Sequence, residues 1–147
     1  IASCLVGSEM CIRDRSTPAS KEPGVRYRID EEAQLLHLDL NSGVSAETAL
    51  GEALAIIKVR PDLWSWDWIV EAETTPWDAS FEQIARLAGA LDTPPQTEVL
   101  TMLVSQDASL HLWARVMDFQ FLRRRHVVVR SIEEARAQIH RHRKQPR

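Results

Sequence analysis

Residues 99–104 read V-L-T-M-L-V, an almost uninterrupted apolar run between two polar segments. A strand with one face in water alternates apolar and polar residues, whereas a strand covered on both faces does not. The run is therefore typical of a central strand of a parallel sheet, with other elements packed above and below it. This one segment favours an α/β domain.

Alternating patterns predict the other strands. Residues 25–29 and 36–40 alternate apolar and polar side chains around a short polar connection, which indicates an antiparallel hairpin with one buried face. Shorter apolar stretches at 68–70 and 127–129 predict two further strands.

Amphipathic segments with N-cap residues separate these strands. Ser45 precedes a stripe of apolar residues that Pro61 stops. Ser80 stands three residues before Gln83 and Ser131 three before Glu134, the spacing of a capping box. With a third helix starting at 107 or 109, the order is β-β-α-β-α-β-α-β-α. This order predicts a mixed, mostly parallel sheet of about five strands with helices packed against it.

The N-terminal stretch has a different character. Residues 4–15 read C-L-V-G-S-E-M-C-I-R-D-R, which matches the translation of a common sequencing-adapter DNA, so we interpret 1–15 as an artefact and exclude it from fold reasoning. Residues 16–24 are polar and rich in proline, and predict a disordered leader. We expect one domain over 25–142 and a basic tail over 143–147.

Composition excludes several kinds of site. Both cysteines lie within 4–15, so the remaining chain has no disulfide framework, thiol nucleophile or cysteine-ligated zinc. The five histidines lack the spacing of a helical metal site, and we expect neither metal nor cofactor. No apolar run is long enough to cross a bilayer, and a cytoplasmic location is expected.

The net charge of −3 hides an asymmetry, because acidic residues dominate up to residue 112 and basic residues after it. Arg123, Arg124 and Arg125 are the candidate anion contacts in the basic part. The aromatic interleaving of a single-strand platform is missing, so no specific nucleic acid is expected as a partner.

The opening Y-R-I-D hairpin and the closing V-V-V-R-S-I-E-E-A of residues 127–135 resemble the STAS-like superfamily. The closer likeness is to the bacterial SpoIIAA-like group, which is related to STAS and SEC14 domains, and it covers residues 25–142. The resemblance implies a regulatory or interaction domain rather than an enzyme. It also implies by position that Ser80 corresponds to the phosphorylated serine of anti-sigma-factor antagonists, although their D-S-S-G motif is absent here.

The leading hypothesis is a non-enzymatic regulatory or protein-interaction domain. It would contact a protein partner through Thr75, Trp77, Asp78 and Ser80, and homodimerisation is left open. The alternative is a small apolar ligand or lipid-surface binding domain, motivated by the SEC14 likeness and by a cluster of four tryptophans, Trp64, Trp66, Trp68 and Trp77. A third class is an enzyme that uses carboxylates around the third strand, Asp67, Glu71, Glu73 and Asp78.

Overall fold

The computed structural model describes residues 25–40, 44–72, 80–91 and 93–145. The adapter-like stretch and the leader lie outside these residues. So do three of the four residues expected to contact a partner, Thr75, Trp77 and Asp78.

Five strands form one sheet. They are β1 (Arg26–Asp30), β2 (Leu35–Asp39), β3 (Asp67–Glu71), β4 (Val99–Val104) and β5 (Arg124–Val129). Their order in the sheet follows the chain, β1-β2-β3-β4-β5. The β1–β2 pair is antiparallel and the other three pairs are parallel. The predicted α/β fold with a mixed, mostly parallel sheet is confirmed.

Four α-helices and one short 3₁₀ helix connect the strands. They are α1 (Ala46–Val59), the 3₁₀ helix (Pro61–Ser65), α2 (Phe81–Ala90), α3 (Leu110–Gln120) and α4 (Ile132–Lys144). Each parallel strand lies beside the one before it, so right-handed crossovers place α1, α2 and α3 on the same face of the sheet. Helix α4 follows the last strand and covers the other face.

The buried residues form two clusters, one on each face. The larger joins the sheet to α1, α2 and α3 through side chains such as Ile57, Ile84 and Met117. The smaller joins it to α4 through Ala135 and Ile139. All of β4 is buried between the two clusters, as its unbroken apolar run predicts.

The predicted helix starts are largely confirmed. Ser45 caps α1, and Ser80 with Gln83 forms a complete capping box at α2. The Ser131 side chain caps α4, but the Glu134 carboxylate accepts from the backbone of Arg130, so that box is only half formed.

Replacing Ser80 with alanine is expected to lower the free energy of unfolding by about 1 kcal/mol, because the Gln83 backbone N–H loses the hydroxyl that accepts its hydrogen bond. Urea denaturation measures the change. Ser109→Ala is the matched control, since Ser109 stands at the start of α3 without a side-chain cap bond and its loss should cost much less. Equal effects of the two substitutions would contradict the capping role of Ser80.

Two segments differ from the sequence prediction. Strand β5 begins at Arg124 rather than 127, because Arg124 pairs with Val99 at the start of β4. Residues 61–65 form a 3₁₀ helix that was not predicted, with Pro61 at the first turn, where its fixed φ and missing N–H fit a helix start. Of the helices in the described ranges, none combines the length and the apolar character that a membrane span needs.

Candidate functional site

A cavity of about 80 Å³ lies between the sheet and helices α1, α2 and α3. Its wall is almost wholly apolar. The sheet contributes residues such as Leu38, Val70 and Leu103, and the helices contribute Ala53, Leu87 and Met117. Water needs several polar partners to occupy such a space, so the cavity suits an apolar occupant.

Arg124 lines this cavity and is only 3% exposed. Its guanidinium donates to the hydroxyl of Thr101 at 2.8 Å, to the carbonyl of Trp66 at 3.1 Å and to the carbonyl of Trp64. These bonds tie the 3₁₀ helix and the start of β3 to β4 and β5. Arg124 therefore holds together segments whose side chains, including Trp64 and Thr101, line the cavity.

The buried charge of Arg124 has no carboxylate bonded to it among the described residues. Burial lowers the pKa of its guanidinium to about 9, and the negative charge of Asp67 opposes that shift. The group still carries its charge at neutral pH. Its central carbon lies 4.2 Å from the ring centre of Trp64 and 4.5 Å from that of Trp68, and such cation–π contacts offset part of the desolvation cost. Within the described ranges, Nε of Arg124 is a buried polar atom without a hydrogen-bond partner.

His126 also lines the cavity and is held by Asp118 of α3. The Asp118 Oδ1 atom lies 3.0 Å from Nδ1 of the imidazole and accepts from the His126 backbone N–H at 2.5 Å. Burial lowers the pKa of His126, and the charge of Arg124 acts in the same direction, while Asp118 opposes both. The imidazole is therefore neutral at pH 7, with Nδ1–H donating to Asp118. For Asp118, burial opposes ionisation, but the hydrogen bonds from His126 outweigh it and lower the pKa.

The free energy of unfolding should fall as the pH drops below about 7. The pKa of His126 in the folded protein lies below its ordinary value of 6.5, so the unfolded chain takes up the proton first and is favoured as the pH falls. His126→Asn keeps an N–H donor beside Asp118 but does not titrate, and should flatten this part of the curve. Urea denaturation at several pH values measures it, with the exposed His140→Asn as control. If H126N kept the native dependence of the free energy of unfolding on pH, His126 would not be the group responsible for it.

A groove of about 510 Å³ adjoins the cavity on its outer side. It is formed by the end of α1, the 3₁₀ helix and the segment after α2. Ile57, Trp64 and Leu91 line both spaces, so these three side chains stand between the groove and the cavity.

The structure separates the residues that the sequence suggested as sites. Ser80 is exposed at the start of α2. The three arginines do not form one surface: Arg124 is buried, Arg123 is exposed and donates to the carbonyl of Gln96 at 2.6 Å, and Arg125 lies on the opposite face of the sheet. They cannot contact one anion together.

The tryptophans contribute to the core rather than to an exposed patch. Trp64, Trp66 and Trp68 are each at most 8% exposed. The indole N–H of Trp64 donates to the carbonyl of Thr93 and that of Trp68 to the carbonyl of Leu63. The fourth, Trp77, lies outside the described residues.

The two described carboxylates of the third strand lie at its opposite ends and have different partners. Asp67 begins β3 and binds Arg143 and the backbone N–H of Leu100, whereas Glu71 ends it and lies 2.5 Å from Nε2 of His37. Glu73 and Asp78 lie outside the described residues. In the parts of the chain that are described, no set of three His, Cys, Asp or Glu side chains could hold a metal ion.

Sequence reasoning missed the cavity and the role of Arg124. The alternation of Arg124, His126 and Val128 on one side of the final strand was the available signal, but a charged residue in such a pattern ordinarily indicates the solvent face.

Comparison with protein-family models, with curated proteins and with solved structures gives no match for this chain.

Proposed function

We propose that this domain is a binding protein, without catalytic activity, that holds a small apolar ligand between its sheet and the layer of α1, α2 and α3. The observation that carries the proposal is the apolar cavity of about 80 Å³. Packed interiors contain few spaces of this size, because each one forfeits dispersion contacts.

The polar residues at the cavity support an apolar occupant. Thr101 accepts from Arg124, the guanidinium also binds backbone carbonyls, and the imidazole of His126 is held by Asp118. The surface left for a ligand is almost wholly carbon.

Titration with 1-octanol tests the proposal. In methyl-selective NMR spectra we expect saturable shifts of Leu38, Leu103 and Met117, whose side chains line the cavity. The methyl groups of Leu112 and Leu122 are the internal control, because both residues are 69% exposed on or beside α3. Shifts that fail to saturate, or that appear only at the exposed leucines, would overturn the proposal.

A second candidate function is a regulatory contact with a protein partner around the start of α2. It is supported by the exposure of Phe81, which is 58% exposed directly after Ser80. This candidate function includes the proposal that the domain is a member of the STAS-like superfamily. The element order β-β-α-β-α-β-α-β-α supports that membership.

A pull-down with residues 16–147 tests this second candidate. Capture of a partner by the native domain, lost in a folded Trp77→Ala, Ser80→Glu double variant, would support a contact at this site. The same capture by both forms would place the contact elsewhere.

A further inference from the structure

The cavity and the outer groove together suggest the shape of the ligand. Among the described residues, Ile57, Trp64 and Leu91 line both spaces. A cavity of about 150 Å³ holds one benzene molecule, so the space of about 80 Å³ takes roughly three carbon atoms. A longer ligand therefore has one end in the cavity and the rest in the groove.

The described residues of the groove include one charged side chain. Of the described residues that line it, Lys58 is the charged one, beside apolar side chains such as Leu54, Pro61 and Pro94. Lys58 is exposed in the last turn of α1. The ion pairs of the described residues involve other side chains, so none of them neutralises this ammonium group.

We propose that the ligand is a single-chain carboxylate amphiphile, whose alkyl chain enters the cavity past Ile57, Trp64 and Leu91 and whose carboxylate lies near Lys58. This inference rests on the proposed apolar-ligand function and adds the chain and the head group to it. One ammonium group matches a singly charged head, whereas phosphate groups are commonly bound by several donors. The small cavity accepts one chain end, which disfavours lipids with two chains.

Comparing the binding of octanoate with that of 1-octanol separates the contribution of the head group from that of the alkyl chain. Charge reversal by Lys58→Glu should weaken octanoate binding about tenfold, because repulsion replaces an exposed attraction, and should leave 1-octanol binding unchanged. Lys144→Glu is the matched control, since Lys144 is also exposed in the last turn of a helix but lies on the other face of the sheet. Isothermal titration calorimetry at low salt measures all three proteins.

The outcomes distinguish the two proposals. A loss for octanoate alone, in K58E and not in K144E, supports the carboxylate assignment. If 1-octanol binds but octanoate responds equally to both substitutions, or to neither, the head-group inference is wrong and apolar binding stands. If neither compound binds the native protein, the proposed function fails and the inference fails with it.

Discussion

Replacing Arg124 with alanine is expected to lower the free energy of unfolding by about 3–5 kcal/mol. The substitution leaves the hydroxyl of Thr101 and the carbonyls of Trp64 and Trp66 without their donor in a buried environment. It also removes a side chain that packs against two indole rings, which enlarges the cavity beside them. Urea denaturation followed by tryptophan fluorescence measures the loss.

Two further variants identify the cause of the stability loss in R124A. Arg125→Ala removes the next arginine of the same strand, which is exposed on the other face, and should change stability by less than about 0.5 kcal/mol. Arg124→Lys keeps a positive charge but loses the planar guanidinium. Its free energy of unfolding should lie between those of R124A and the native protein. If R124A were no more destabilising than R125A, Arg124 would not hold these segments together.

Ala53→Leu is expected to weaken 1-octanol binding by at least about tenfold, since each buried CH₂ contributes roughly 0.8 kcal/mol. Ala53 lies on α1 and lines the cavity. Leucine adds three carbon atoms, which is about the number that the cavity holds. The variant should remain folded, and its stability should be equal or raised by up to about 2 kcal/mol, because filling a cavity restores dispersion contacts.

The control for this substitution is Ala137→Leu, which adds the same atoms at an exposed position of α4. It should bind 1-octanol like the native protein. Unchanged binding in a folded A53L would show that the ligand does not occupy the cavity, whatever its affinity.

The elements that could be predicted from sequence are those that depend on neighbouring residues. The apolar run of β4 showed a strand covered on both faces, and Ser80 with Gln83 showed where α2 starts. In each case the signal and the structure it specifies lie within a few residues of each other. Local hydrogen bonding and side-chain alternation are sufficient to define them.

The cavity and its arginine could not be predicted in this way. Arg124 is buried because it binds carbonyl groups 58 and 60 positions earlier in the chain, and no local pattern reports such partners. The 3₁₀ helix that presents Trp64 was also missed, because the tryptophans at 64, 66 and 68 have the spacing of an extended strand. Pro61 was the signal for the helical turn, and it was interpreted only as the end of α1.

The position of the bound chain shows whether the cavity is the ligand site. Intermolecular nuclear Overhauser effects can be measured between the terminal methyl group of 1-octanol and the protein methyl groups. We predict contacts with Leu103 and Met117, which line the cavity from the sheet and from α3. Contacts confined to Leu112 or Leu122, which are exposed, would show that the cavity is not the ligand site and would place apolar binding on the outer surface of α3.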